Sequence, residues 1–371
     1  MISPEDDLFG RQLPTDLDHV ANSDPAWVER YWYCGHELAT GGIIMDLGLG
    51  YYPNHNVMDG FAGVTCEGVQ YNFRASRRLS GDPLTTAVGP LRVEVIKEFR
   101  QHRLALEANE SGFAFDIFFD ATTEMHEEER HVRRRNGKFA ENMIRMGQFG
   151  RYSGWMTLLG RRILLTAETW YAERDHSWGI RAEMRTDEAA PPMSKYPPFF
   201  YVWCQLQFPD GGLHLYAMEL APNLYIYLSG EFVGRHDDVP RADRRVVHFT
   251  HNLVWKDDPL GQTIESGEFH LRLEDGSERT VALKALPARY FLKGGLYGGL
   301  HGWAQGADRG SLHTEHDVWQ LNDPDTRRVA RTLSDHAFEA HCDGKVGYGT
   351  IQYGVSQGYP RYTEVQKFPP V

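Results

Sequence analysis

Cysteine is scarce and badly placed for pairing: Cys34, Cys66, Cys204 and Cys342 stand far apart, with no CxxC among them. This argues against a zinc ribbon, a thioredoxin-type motif and a disulfide scaffold, and leaves reduced, mostly buried thiols. Positive charge is short as well. Lys and Arg number 39 against 51 Asp and Glu, for a formal net charge of −12, so no nucleic-acid partner is expected, nor an anionic membrane surface, since both bind clustered cations. The one basic run, Arg133-Arg134-Arg135, follows Glu127-Glu128-Glu129-Arg130 and ends at Asn136-Gly137, which reads as a solvated loop. No stretch approaches the ~20 apolar residues of a spanning helix, and Met1-Ile2-Ser3-Pro4-Glu5-Asp6-Asp7 lacks the basic and apolar regions of a secretory leader. The expectation is a cytoplasmic protein with no transmembrane segment, with self-association into a homo-oligomer left open.

Familiar catalytic signatures are missing too. His126-Glu127-Glu128-Glu129-Arg130-His131 does not place two imidazoles one helical turn apart. Gly48-Leu49-Gly50-Tyr51-Tyr52-Pro53 ends in proline where a dinucleotide fingerprint needs Gly or Ala. Gly150-Arg151-Tyr152-Ser153-Gly154 has its serine one place too late for a nucleophile elbow, and there is no P-loop. His313-Thr314-Glu315-His316-Asp317, with His301 nearby, matches no recognised metal spacing. Neither a cofactor nor a metal is expected.

What is present is aromatic and turn-rich. The chain has 18 Tyr, 19 Phe and 9 Trp, with 37 Gly and 19 Pro scattered through it, a composition suited to many short strands joined by turns. At 371 residues it exceeds what one core usually serves. A helix is expected near the N-terminus, where Pro25-Ala26-Trp27-Val28-Glu29-Arg30 follows Asp24, and another over residues 326–333. Elsewhere strand patterns dominate, from the apolar run 41–48 and the alternation of 91–99 to 103–108, 112–119, 163–165 and 180–184. Residues 186–198 are proline-rich and patternless, the expected linker between an N-terminal domain, 1–188, and a C-terminal one, 199–371. The second half opens on a hairpin, 199–208 and 213–220 around Pro209-Asp210-Gly211-Gly212, and alternates again at 224–228, 245–255, 268–273 and 280–285. A weak internal echo links the halves: Gly154-Trp155 precedes Glu173, Asp175 and Trp178, and Gly302-Trp303 precedes Glu315, Asp317 and Trp319.

The densest chemistry lies in Tyr171-Ala172-Glu173-Arg174-Asp175-His176-Ser177-Trp178-Gly179-Ile180-Arg181. On a strand, Glu173, Asp175 and Ser177 share one face and Arg174, His176 and Trp178 the other. A carboxyl group facing an apolar cavity must be paired or shifted in pKa, which is how it becomes a proton donor near neutral pH. The plain alternative is structural: Asp175 pairs with Arg181, and Trp178 fills core.

The Asp-His-x-Trp-Gly pattern of residues 175–179, in a β-rich chain of this length, resembles the carotenoid 1,2-hydratase family and its AttH-like relatives. The resemblance implies an all-β fold of two lipocalin-like antiparallel β-barrel domains in tandem, here with a short N-terminal helical segment. It also implies that Asp175 protonates a carbon–carbon double bond beside an aromatic pair, before water adds to the cation. Gly154-Trp155 is the counterpart of an upstream Trp of the family. Where the hydratases carry a Tyr two residues before this Asp, the present chain has Glu173, which supplies charge or a proton instead of a ring face. The expected activity is a cofactor-independent lyase (hydratase or dehydratase) or isomerase acting on a hydrophobic small molecule of terpenoid, steroid or aromatic-derived type. Asp175, Glu173 and His176 are the expected catalytic residues, and Trp155, Tyr171, Trp178 and Tyr297 the substrate-binding ones. Two other readings stay open: a non-catalytic carrier of an apolar ligand, and a cyclase.

Overall fold

The computed structural model describes residues 2–10, 22–79, 85–185, 197–238, 243–259, 261–331 and 333–366. The first half forms β1 (Trp27–Glu37), β2 (Ile43–Tyr52), β3 (Val57–Cys66), β4 (Val69–Arg78), β5 (Ala87–Val88), β6 (Leu91–Lys97), β7 (Gln101–Leu106), β8 (Phe113–Ala121), β9 (His126–Glu127), β10 (His131–Arg135), β11 (Lys138–Leu158), β12 (Arg161–Leu165) and β13 (Trp170–Ile180). The second forms β14 (Phe200–Phe208), β15 (Gly211–Ala221), β16 (Leu224–Gly234), β17 (Arg244–Trp255), β18 (Ile264–Leu273), β19 (Glu278–Phe291), β20 (His313–Gln320), α1 (Pro324–Ala330), β21 (Ser334–Cys342) and β22 (Lys345–Val355). Residues 186–196 of the expected linker, and with them the end of the expected first domain, lie outside the described residues.

The helix expected to open at Pro25 is a strand. Asp24 closes a turn, its Oδ1 accepting from the Ala26 N–H (2.9 Å) and its carbonyl from the Trp27 N–H (2.9 Å), and β1 starts at once. Both faces of β1 are buried along ten of its eleven positions, so the polarity alternation that marks a strand is absent. The N-terminal helical segment is instead a single 3₁₀ turn, Pro4–Asp7. The helix expected over 326–333 is α1, whose N-cap Asp323 accepts from the Thr326 N–H at 2.9 Å.

The first sheet is curled, and its strands run in the order β20-β4-β3-β2-β1-β13-β11-β8-β7-β6-β5, with β9, β10 and β12 also on β11. At one end β5 meets β4 through Arg77, whose Nε donates to the Ala87 carbonyl at 2.7 Å. The second sheet is a closed eight-stranded barrel, β14-β15-β16-β17-β18-β19-β21-β22. Every strand pair is antiparallel, and β20, though it lies in the second half of the chain, pairs with β4 of the first sheet.

Alternation assigns the two faces of the first sheet. Tyr31, Tyr33, Met45, Leu47 and Leu49 point inward and share a core with Leu104, Phe115, Phe119 and Trp178. The barrel has its own core around Phe249, Phe269, Phe338 and Ile351. A third cluster joins them: Trp32, Cys34, Ile44 and Phe61 on the outer face of the first sheet meet Trp203, Ala288, Tyr290, Leu292 and Ala337 on the outer face of the barrel. Gly63 makes this approach possible, because the Tyr290 ring occupies the space a Cβ would need. The two bodies therefore stack outer face to outer face, and the layer between them holds side chains that belong to neither interior.

Candidate functional site

β13 lies near the middle of the first sheet, hydrogen-bonded to β1 on one side and β11 on the other. Its alternation sends residues 173–179 to two separate places. On the inner face, Arg174 holds Asp7 and Gln148, the His176 Nε2 meets the Glu29 carboxylate at 3.0 Å, and Trp178 packs in the first core 5.2 Å from the His176 ring. On the outer face stand Tyr171, Glu173, Asp175 and Ser177, looking toward the barrel. His176 and Trp178 are thus divided from Asp175 by the sheet itself.

Asp175 is buried and sits opposite Trp32 in the β1 ladder and Gly147 in the β11 ladder. The Trp32 ring packs edge-on against Trp203 of the barrel, centroids 5.0 Å apart. The Arg145 Nε lies 3.2 Å from the Asp175 carboxylate, while its Nη1 donates to Glu128 at 3.1 Å. Glu128 in turn accepts from the Trp203 indole N–H at 2.8 Å. Arg181, the expected structural partner of Asp175, donates to the Ser177 hydroxyl at 2.6 Å and pairs with Glu183 at 3.3 Å. Burial pushes the Asp175 carboxyl above its ordinary range; Arg145 and Arg181 oppose the shift without cancelling it.

Glu173 is enclosed. The hydroxyls of Tyr171 and Thr350 both donate to it, Tyr171 also donating to the Gln205 carbonyl at 3.1 Å. Burial raises its carboxyl well above the usual range, against those two donors. Tyr297, on the connection from β19 to β20, lies under the Arg30 guanidinium at 4.7 Å. Its hydroxyl is pushed up to about 12 by burial, which Arg30 opposes and the Asp175 charge reinforces.

Of the expected residues, the outer face of β13 therefore brings together Asp175, Glu173, Tyr171 and Tyr297. Trp155 is elsewhere. It lies on β11 eight positions beyond Gly147, the residue opposite Asp175, or roughly 26 Å along an extended strand. There the Arg162 guanidinium covers its ring at 4.6 Å.

Sequence reasoning missed several members of this layer. Trp32 fell in the stretch beyond the misread helix, and Arg145, Glu128 and Trp203 carried no motif. Asp46 offered a signal, a lone acid inside the apolar run 41–48. It faces Asp335 of the barrel with the Trp32 indole N–H alongside, and neither Asp46 oxygen has a well-formed hydrogen bond. Gln352 donates to the other Asp335 oxygen at 2.7 Å. Two buried carboxyls in contact hold a proton between them. Burial raises both, Asp46 well above its ordinary range and Asp335 to about 6.

An acid whose folded-state pKa lies above its unfolded one weakens the fold as pH rises from the unfolded value through the folded one. Asp46→Asn replaces the shared proton with an amide N–H. It is expected to raise the melting temperature at about pH 7.5, the gain shrinking toward pH 4.5, as a thermal-melt series across pH would record.

The outer-face layer, with its raised acids and indole pair, lies within the part of the chain that a family model spans. The chain belongs to a family of unknown function, DUF8625. The match runs over residues 2–358, a span that takes in every strand of both sheets. No curated protein matches. Among solved structures, a protein from Nitrosomonas europaea assigned as an AttH (NE1406) shares the fold: TM-score 0.54 and 11% identity, covering 94% of this chain and 98% of that one. Kievitone hydratase from Nectria haematococca is similar at a TM-score of 0.40 and 13% identity, covering 88% and 89%. CghA is similar at 0.45 and 8%, covering 89% and 88%. The likeness to the Nitrosomonas europaea protein shows an AttH-like, lipocalin-like fold. Among the described residues no helix is long and apolar enough to cross a membrane.

Proposed function

We propose that the chain is a cofactor-independent enzyme that adds water to, removes it from, or isomerises a hydrophobic small molecule held between its two sheets, with Asp175 moving the proton. One observation carries this reading: a buried acid of raised pKa stands beside an indole pair, Trp32 and Trp203, contributed by opposite halves of the chain. In the hydration direction the protonated Asp175 gives its proton to one alkene carbon, using the π electrons for the new C–H bond. The positive charge left on the other carbon faces the indoles, whose π faces stabilise a cation. Water adds there and returns a proton to the Asp175 carboxylate, restoring the acid. Arg145 favours the carboxylate form, and its bond to Glu128 divides that charge between two acids. Glu173 is too tightly held by Tyr171 and Thr350 to exchange protons with solvent, and it fixes the strand that presents Asp175.

The Arg145–Asp175 contact also favours a second reading, in which the pair only locks the sheets and the protein carries an apolar ligand. Incubating a panel of terpenoid, steroid and aryl alkenes in oxygen-18 water separates the two. Labelled alcohol supports catalysis; binding of the same compounds without label or isomer in any product supports the carrier. Within the catalytic reading, Trp32→Leu is expected to lower turnover at least tenfold, about the value of one desolvated cation–π contact. Trp155→Leu is expected to leave turnover unchanged, since it lies far along β11; initial rates of the two variants decide this.

A further inference from the structure

The N-terminal segment, residues 2–10, forms no strand and pairs with no ladder, yet its Asp7 and Phe9 reach side chains of the inner face of the first sheet. Pro4, Glu5 and Leu8 face solvent while Asp6 and Asp7 are buried. Asp7 enters a ready-made carboxylate grip. Arg174 takes it with both nitrogens, Nη1 to Oδ1 at 2.7 Å and Nη2 to Oδ2 at 3.1 Å. The His102 Nε2 and the Phe99 backbone N–H reach Oδ2 at 2.9 and 2.6 Å. The Tyr31 hydroxyl donates to the Asp7 carbonyl at 2.6 Å. Burial alone would raise this carboxyl, but Arg174 and His102 hold it ionised, well below the usual range. Two residues on, the Phe9 ring stacks flat on Tyr31, centroids 3.9 Å apart, with Tyr51 and His176 beside it.

The grip is built from the body of the sheet, and both Arg174 and His102 also have a partner outside the segment. Gln148 accepts from Arg174 Nε at 3.0 Å and is itself anchored to the Phe99 and Thr123 carbonyls, both at 2.8 Å. His102 is aimed by the Tyr33 hydroxyl at 2.5 Å on its other nitrogen. A guanidinium fork with a backbone N–H and an oriented imidazole recognises a carboxylate, and the tyrosine floor recognises an aromatic or apolar tail. The segment meets those groups with one acid and one ring, on a stretch with no backbone ladder to hold it.

We propose that the grip of Arg174, His102 and Tyr31 on the inner face of the first sheet is a binding site for a small carboxylic acid with an aromatic or apolar tail, which the chain fills with its own Asp7 and Phe9 until such a ligand competes. It lies on the inner face of β13, across the sheet from Asp175, and does not rest on the catalytic reading. A tethered occupant competes at the millimolar effective concentration of a short link, so its removal unmasks affinity.

The test uses full-length wild type and the Asp7→Ala/Phe9→Ala double variant, each with 3-phenylpropionate and, as the uncharged control, 3-phenylpropionamide. Calorimetry is expected to show the variant binding the acid about tenfold or more tightly than wild type, the amide leaving both unaffected. In wild type, saturating acid is expected to accelerate hydrogen exchange at the Gly10 amide, which otherwise donates to Glu29 at 2.8 Å. A folded variant that shows no preference for the acid overturns the proposal. Should the variant fail to fold, wild-type exchange decides: unchanged Gly10 protection at solubility-limited acid overturns it, and acid-selective acceleration supports it.

Discussion

Asp175→Asn is expected to lower turnover roughly 10²–10⁴-fold, the contribution of a positioned proton donor, without destabilising the protein. The isosteric amide keeps the place of the side chain between Trp32 and Gly147 but has no proton of suitable acidity to give. Stability follows from the sign of the pKa shift. Burial raises the folded carboxyl above its unfolded value, so its ionisation costs stability as pH rises through that interval, and asparagine removes the cost. Arg145 retains Glu128 as its acid partner in the variant. The rate profile carries the same sign: hydration that needs the protonated acid declines as pH rises through the raised pKa, and kcat/KM against pH in wild type measures where. A variant that loses turnover and melting temperature together would instead assign Asp175 to locking the sheets.

Gly179→Ala is expected to cost about 2–5 kcal/mol, combining a left-handed backbone angle with a collision in packed structure. Gly179 closes the five-residue pattern that Asp175 opens, and its φ is +132° next to the end of β13, on the central strand of three, opposite Val28 and Met143. An added Cβ would overlap the Asn142 carbonyl oxygen, which belongs to β11 and has no freedom to move aside. Gly160→Ala is the comparison. Its φ is +80° in an exposed turn with nothing within 4 Å of an added Cβ, so only the conformational cost of about 1 kcal/mol remains. Urea denaturation of the two variants gives the difference directly. The pattern thus mixes causes: its glycine answers to backbone geometry, its aspartate to the layer between the sheets.

That mixture also explains how much could be read in advance. The many strands were legible because aromatic, β-branched and turn residues recur throughout, and the split of residues 173–179 into two faces needed only the period of a strand. β1 was not legible. Burial on both sides made Arg30-Tyr31-Trp32-Tyr33-Cys34 uniform where alternation was sought, and Pro25 supplied a false helical start. Trp32 was lost with it. Asp175, Glu173, Tyr171 and Tyr297 were picked out, and they meet. His176 and Trp178 were neighbours in sequence and lie across the sheet from Asp175, while Trp155, carried over from the resemblance as the counterpart of an upstream Trp, lies far along β11. Trp203 and Asp335 could not have been placed in this layer, because only the docking of two outer faces brings them there, and Arg145 needed the register of β11 against β13.

The strand exchange at β20 has a bearing on how the chain is made. β4 is complete by residue 78, yet its outer edge waits for His313–Gln320, more than two hundred residues later. During synthesis at ~5–20 residues per second that edge stands unpaired for roughly ten to fifty seconds, long enough to recruit a strand from another nascent chain. The second half, for its part, spends the peptide between β19 and β21 on a sheet it does not belong to, so neither half made alone would present the surface it has in the whole. A gene cut between β13 and β14 would leave the first fragment without the strand that covers β4, so the last third of the polypeptide would act as the folding clamp for the first.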